Sequence, residues 1–212
     1  MRTSVLLFTS LMLGSAIGQA QQFQILYAAN LDKGDSYINA TNTGFNGASL
    51  YGPGIGGAAG NICLNVYAFS PDEQLVACCS CLITPNGLVS LSVNNDVLYN
   101  TLTGIRPNSA VVKFVTSSAG SQFTGSSCTN SAALVGSNAE NVLARGSLVF
   151  GTTLHAPAVP GSFVTTERPA LEANLSTPEL ASITNRCANI IGNGSSYGIC
   201  RSCRVGGLSA SR

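Results

Sequence analysis

Residues 61–93 read NICLNVYAFSPDEQLVACCSCLITPNGLVSLSV, and the fold is decided there. Ile62, Leu64, Val66 and Ala68 alternate with Cys63, Asn65, Tyr67 and Phe69. That is the period of a β-strand, whose successive side chains point to opposite faces. Ser70-Pro71-Asp72-Glu73 reads as a turn: proline presets the φ of its second position and the acids stay in water. Residues 75–84 run back as a second strand. Pro85-Asn86-Gly87 reads as another tight turn, with Asn-Gly supplying positive φ, and residues 88–93 follow as a third strand. The expectation is a three-strand meander carrying half of the eight cysteines: Cys63, Cys78, Cys79 and Cys81.

Working outward, residues 23–31 and 35–41 hold apolar and alternating runs that predict earlier strands. Tyr37 and Asn39 fall on one face of the second run, Ile38 and Ala40 on the other. Residues 43–60 are glycine-rich, with no lysine and no Gly-Lys-Ser/Thr, so they predict a mobile loop rather than a phosphate cradle. Beyond the meander, residues 97–102, 109–116, 146–155 and 162–166 predict short strands, and residues 117–141 a long loop around Cys128. Ser176-Thr177-Pro178-Glu179 matches a capping box. Leu180, Ile183, Cys187, Ile190 and Ile191 then recur at helical spacing, which predicts a helix over 177–191 with Gly192 as its stop. Many short strands and one late helix argue for an antiparallel β-sandwich, immunoglobulin-like or jelly-roll-like, in one domain over residues 21–212.

Composition narrows the setting. Hydrophobic residues make up 45% of the 212, ample for a core, while charged residues make up 9%, against about 25% in an ordinary soluble domain. Ten Lys and Arg against nine Asp and Glu leave almost no net charge, so nothing favours nucleic acid or an anionic membrane surface. Residues 1–20 read as a signal peptide: Arg2 supplies the charge, residues 5–17 the apolar run, and Gly18 and Ala20 the small residues at a cleavage site after Ala20. The apolar run is shorter than the ~20 residues that span a bilayer. No cysteine follows it, and no apolar tail ends the chain. The expected product is secreted or periplasmic, with no membrane span once the signal is removed.

An oxidising compartment makes disulfides the default for Cys63, Cys78, Cys79, Cys81, Cys128, Cys187, Cys200 and Cys203. On a strand, Cys79 and Cys81 share a face that Cys78 does not. Folding about Asp72 brings Cys63 opposite Cys81, or opposite Cys79 after a slip of two. Cys200 and Cys203 would then clamp the tail to the meander, and Cys128 would tie the long loop to Cys187.

Other chemistries compete for these residues. Thiol redox catalysis wants the first cysteine of C-x-x-C at a helix N-terminus, whereas Cys200-Arg201-Ser202-Cys203 follows the helix. A zinc site built from the two clusters has suitable ligands far apart in sequence. Any Ser-His-Asp site must use His155, the one histidine, yet neither G-x-S-x-G nor H-E-x-x-H occurs. Of the carboxylates, Asp72, Glu73, Asp96 and Glu179 have turn or cap positions, which leaves few for a glycosidase pair. Asn94-Asn95-Asp96 has calcium-ligand types but lacks the loop pattern. Asn39, Asn174 and Asn193 head N-x-[ST] matches.

The double-cysteine strand, the Pro-Asn-Gly turn and the terminal Cys-Arg-Ser-Cys, taken with residues 183–203, resemble an uncharacterised set of exported, cysteine-rich bacterial proteins. The resemblance implies export and assigns no activity, cofactor or catalytic residue. The expected function is a non-catalytic structural or binding module of the envelope or extracellular space, with polysaccharide or another envelope protein as the partners its neutral surface suits. The alternatives are an extracellular hydrolase using His155 and a zinc-binding protein using the cysteine clusters.

Overall fold

The structure is a computed structural model that describes residues 22–50, 59–119, 128, 143–155 and 159–201. The predicted signal peptide, most of the long loop, the middle of the glycine-rich segment and Cys203 lie outside these residues.

Among the described residues, nine strands form two antiparallel sheets: β1 (Phe23–Ala28), β2 (Tyr37–Asn42), β3 (Ile62–Phe69), β4 (Leu75–Ile83), β5 (Leu88–Ser92), β6 (Ala110–Ser118), β7 (Ser147–His155), β8 (Val164–Pro169) and β9 (Leu171–Glu172). One sheet runs β4-β3-β6-β1-β9 and the other β5-β2-β7-β8. The expected sandwich is therefore present. Only β3–β4 and β7–β8 are hairpins within a sheet; every other strand connection crosses between the sheets. The late helix, α1 (Thr177–Gly192), lies on the outer face of the larger sheet. Ser176 caps it by accepting from the Glu179 amide at 3.3 Å.

This three-layer order explains β3, which is buried along nearly its whole length. Ile62, Leu64, Val66 and Ala68 enter the core between the sheets. Tyr67 and Phe69, on the alternate face, pack under α1 with Leu75, Cys78, Val115, Leu180, Ile183, Cys187 and Ile190. Strand β2 shows the predicted alternation, with Ile38 and Ala40 buried and Tyr37 exposed.

The meander does not close. β5 leaves β4 at Pro85-Asn86-Gly87 and joins the opposite sheet beside β2. The cause is Asn42, a fully buried residue at the end of β2. Its Nδ2 donates to the carbonyls of Ile83 (2.9 Å) and Gly60 (2.8 Å), its backbone carbonyl accepts from Asn86 N, and its backbone N–H donates to Gly87 O. These bonds hold the end of β4 and the turn against β2, so the turn becomes a corner between sheets.

Residues 97–102 are not a strand either. Residues Val93–Val97 form a π-helical turn, closed by Leu98 N–H donating to Val93 O at 2.8 Å. Ser92 organises it: its hydroxyl accepts from Asn95 N at 2.8 Å, and its own amide donates to Asp96 Oδ2 at 2.8 Å. Val97 and Leu98 are then buried side by side at the end of this turn.

The disulfides depart from the expected pairing at Cys63 and Cys187, while Cys200 clamps the tail to the meander as expected. Cys63 bonds Cys128, Cys78 bonds Cys187, and Cys79 bonds Cys200. Cys81 is also disulfide-bonded, and no described cysteine is free. A β-bulge is the reason Cys63 reaches neither Cys79 nor Cys81. Phe69 pairs with Leu75, but Ala68 pairs with Ala77, so Val76 is the extra residue. Beyond it Cys63 faces Leu82, while Cys81 faces Leu64 and Cys79 faces Val66. A one-residue shift turns every side chain to the other face. Cys79 and Cys81 enter the inter-sheet core, whereas Cys63 points away from it. Cys187 goes to the strand beneath its helix rather than to Cys128.

Candidate functional site

An edge strand exposes unpaired backbone groups and must be covered. β4 is such an edge, and two segments cover it. Leu102 N–H donates to Val76 O at 2.8 Å, and Cys78 N–H donates to Gly198 O at 2.8 Å, so that Ile199 lies parallel to Cys78. Gly198 N–H donates in turn to Asn100 O at 2.6 Å, and Arg201 N–H to Asp96 O at 3.0 Å. Disulfides bracket the second segment, at Cys187 through Cys78 and at Cys200 through Cys79. The turn after the π-helical residues and the tail after α1 are thereby laid side by side.

Both segments carry exposed large side chains. Tyr99 is 51% exposed and Tyr197 47%, and Leu102 and Ile105 are exposed in the first segment. The Arg201 guanidinium stands 4.6 Å from the centre of the Tyr99 ring, within cation–π range. Asn100 Nδ2 donates to Ser196 O at 3.0 Å, tying the two segments through a side chain. Ser196, next to Tyr197, has φ 63°, a conformation that non-glycine residues seldom adopt. Gly198 has φ 76°, and a Cβ there would stand 2.7 Å from Ile190 Cγ2. Tyr197 therefore sits between two residues of left-handed backbone.

Beside this surface, Asp35 acts as an anchor. Its Oδ1 accepts from the amides of Ser36 (2.8 Å) and Asn94 (2.9 Å), and its Oδ2 accepts from the Ser92 hydroxyl and Asn95 Nδ2. Four donors occupy the carboxylate, so it joins the start of β2 to the π-helical turn. The Asn94-Asn95-Asp96 residues weighed as calcium ligands have turn-forming hydrogen bonds in this arrangement. Among the described residues, no group of three or more His, Cys, Asp or Glu side chains is placed to hold a metal.

His155 stands elsewhere, at the exposed end of β7. Its Nε2 lies 2.8 Å from Thr166 Oγ1 across the β7–β8 hairpin. A cavity of about 290 Å³ opens between β1 and the start of α1, lined by Phe23, Ile25, Lys113, Leu175, Ser176 and Glu179 among others, and His155 is not part of it. Its polar feature is an ion pair, Lys113 Nζ to Glu179 Oε1 at 2.6 Å, with the lysine also 5.0 Å from the centre of the Phe69 ring. Lys113 and Glu179 are 66 residues apart in sequence, and only the crossing of β6 under α1 joins them.

Of the three glycosylation-pattern asparagines, Asn39 has both ends of its amide engaged, accepting from Ser90 Oγ at 2.8 Å and donating to Glu167 Oε1 at 3.1 Å. Asn193 closes α1, and its Oδ1 accepts from Ser195 N at 2.8 Å.

Sequence reasoning gave no signal for the Tyr99–Arg201 pairing, because residues 97–102 read as strand and the tail after Cys200 as a staple. No helix among the described residues is long and apolar enough to cross a membrane. The disulfides are compatible with an extracellular or periplasmic location. No protein-family model matches the chain, and no curated protein or solved structure matches it either.

Proposed function

We propose that this chain is an exported, non-catalytic module of the cell envelope or extracellular space, acting through its surface as a binding or structural unit. The observation that carries the reading is the setting of the reactive side chains. The sole histidine is engaged with a threonine on an exposed hairpin, away from the cavity, whose ionic groups neutralise each other. The described cysteines are consumed as disulfides, which leaves them without the thiolates that zinc or redox catalysis needs. What the fold presents instead is tyrosine: Tyr27, Tyr37, Tyr99 and Tyr197 are all about half exposed. Secretion through the leader at residues 1–20 agrees with this chemistry.

The test is a fractionation and activity experiment on the native protein. The expected result is recovery from the periplasm or medium beginning near Gln21, with no free thiol, no bound zinc and no turnover of ester, peptide or glycoside substrates. Turnover that His155→Ala abolishes, or stoichiometric zinc with free thiols, would replace the reading with one of its two alternatives.

A further inference from the structure

We infer that Asn193 is a site of self-modification, where the side-chain amide is lost and an aspartate or isoaspartate is left in its place. The inference goes beyond the binding-module reading and holds whether or not that reading does. The chain has three Asn-Gly pairs, Asn46-Gly47, Asn86-Gly87 and Asn193-Gly194. In each, the glycine nitrogen can attack the asparagine Cγ, because glycine has no side chain to hinder the approach. The new N–C bond closes a succinimide ring. The Nδ2 group leaves as ammonia, taking the proton from the glycine nitrogen, and water then opens the ring at either carbonyl. Nothing is oxidised or reduced, and water is the one co-reactant.

The structure separates the three pairs. Gly47 N–H donates to Gly44 O at 2.9 Å, and the Asn46 side-chain nitrogen donates to Arg145 O. Gly87 N–H donates to Thr84 O at 2.8 Å, and Asn86 N–H to Asn42 O at 2.9 Å. In both pairs the attacking nitrogen is held in a turn. Gly194 N–H, by contrast, has no partner among the described residues. Asn193, Gly194 and Ser195 are all exposed. With ψ −11° at Asn193, the peptide that follows must turn before its nitrogen reaches Cγ, and no hydrogen bond of that nitrogen has to break for it to do so. Ser195 N–H donates to Asn193 Oδ1 at 2.8 Å, which polarises the carbonyl under attack.

The product differs from the parent in charge and in backbone length. A new carboxylate stands at the C-cap of α1, the negative end of the helix dipole, where the last turn carries no basic residue. An isoaspartate also adds a methylene group to the chain between two fixed points, because disulfides hold Cys187 and Cys200 to β4. Conversion removes the acceptor of Asn193-Gly194-Ser195 as well. The modification therefore marks older molecules by loosening the end of α1, while the disulfides on either side keep the fold closed.

The experiment is a time course of the purified protein at neutral pH, followed by peptide mapping that resolves asparagine, aspartate and isoaspartate. The expected result is conversion at Asn193 about tenfold or more faster than at Asn46 or Asn86 in the native protein. In denaturant with the disulfides reduced, all three pairs are freed and their rates should converge. Gly194→Ala should slow conversion at Asn193, because its methyl group hinders the attack. The added Cβ meets nothing within 4 Å, so the cost to the fold is the strain of φ 71°, which a thermal melt measures. Conversion at Asn46 or Asn86 as fast as at Asn193 in the native protein would overturn the inference. So would an Asn193 that stays intact after the denatured control has converted, or an unchanged rate in Gly194→Ala.

Discussion

Cys78 and Cys79 are consecutive in β4, yet they are bonded into different layers of the molecule. Cys78 points outward and joins Cys187 in α1; Cys79 points into the inter-sheet core and joins Cys200. One dipeptide thus fastens the helix to one side of the sheet and the chain's end to the other. Strand alternation makes this possible, because adjacent residues face opposite ways.

The pairing makes a direct prediction. Non-reducing peptide maps, with fragmentation between Cys78 and Cys79, should yield Cys63–Cys128, Cys78–Cys187 and Cys79–Cys200. Replacing Cys78 and Cys187 together by alanine should cost roughly 2–5 kcal/mol in denaturant unfolding, the usual cost of losing a native disulfide. A map joining Cys63 to Cys79 or Cys81 would contradict the register of β3 against β4.

Beside that disulfide lies Tyr67, whose hydroxyl is fully buried under α1 with no hydrogen-bond partner among the described residues. Burial holds the phenol above its ordinary value of 10.0. In the native state the neutral ring is kept, while the unfolded chain ionises near its usual pKa. The stabilisation is therefore complete below about pH 10 and is lost as pH rises above it towards the folded value. Tyr67→Phe removes the unsatisfied hydroxyl and should stabilise the protein at pH 7 by about 1 kcal/mol. It should also flatten the loss of stability in alkali. Urea titrations of both proteins across that pH range measure the two effects, and a less stable phenylalanine variant at pH 7 would show that the hydroxyl has a partner in solution.

Local periodicity made much of the fold legible. The alternation of β2 and β3, the capping box at Ser176 and the apolar stripe of α1 each sit in a short window and are borne out as strand, cap and helix. The features that misled depend on contacts made at a distance. Residues 85–87 resemble a hairpin turn until Asn42, more than forty positions earlier, takes the Ile83 carbonyl. Folding about Asp72 gives the right partner for Phe69 and the wrong one for Cys63, because the bulge at Val76 depends on packing rather than on turn chemistry. The candidate surface was illegible for the same reason. Tyr99 and Tyr197 are nearly a hundred residues apart, and only the covering of the β4 edge brings their segments together.

Asn42 can be tested by itself. Asn42→Ala would leave the Ile83 and Gly60 carbonyls without their side-chain donor and would remove the acceptor for Gly44 N. With each buried unsatisfied group costing about 1–3 kcal/mol, a loss of roughly 3 kcal/mol is expected. Asn42→Asp should be no better, since it keeps the shape but offers acceptors where donors are needed. If either variant unfolds at the parent's denaturant midpoint, the corner between the sheets is held by something other than this side chain.

Gly198 and Gly104 together separate conformational cost from packing cost at the candidate surface. Both have positive φ, 76° and 70°, in which an L-residue is strained. At Gly104 an added Cβ meets nothing within 4 Å, whereas at Gly198 it would stand 2.7 Å from Ile190 Cγ2 and 3.3 Å from Leu102 Cβ. Gly104→Ala should therefore cost only the backbone penalty, about 1–2 kcal/mol. Gly198→Ala should cost more, because either the helix or the tail must yield. Thermal melts of the two variants measure the difference, with the larger downward shift expected for Gly198→Ala. Equal melting shifts for the two variants would mean that the tail does not press against α1 as tightly as the Ile190 contact requires.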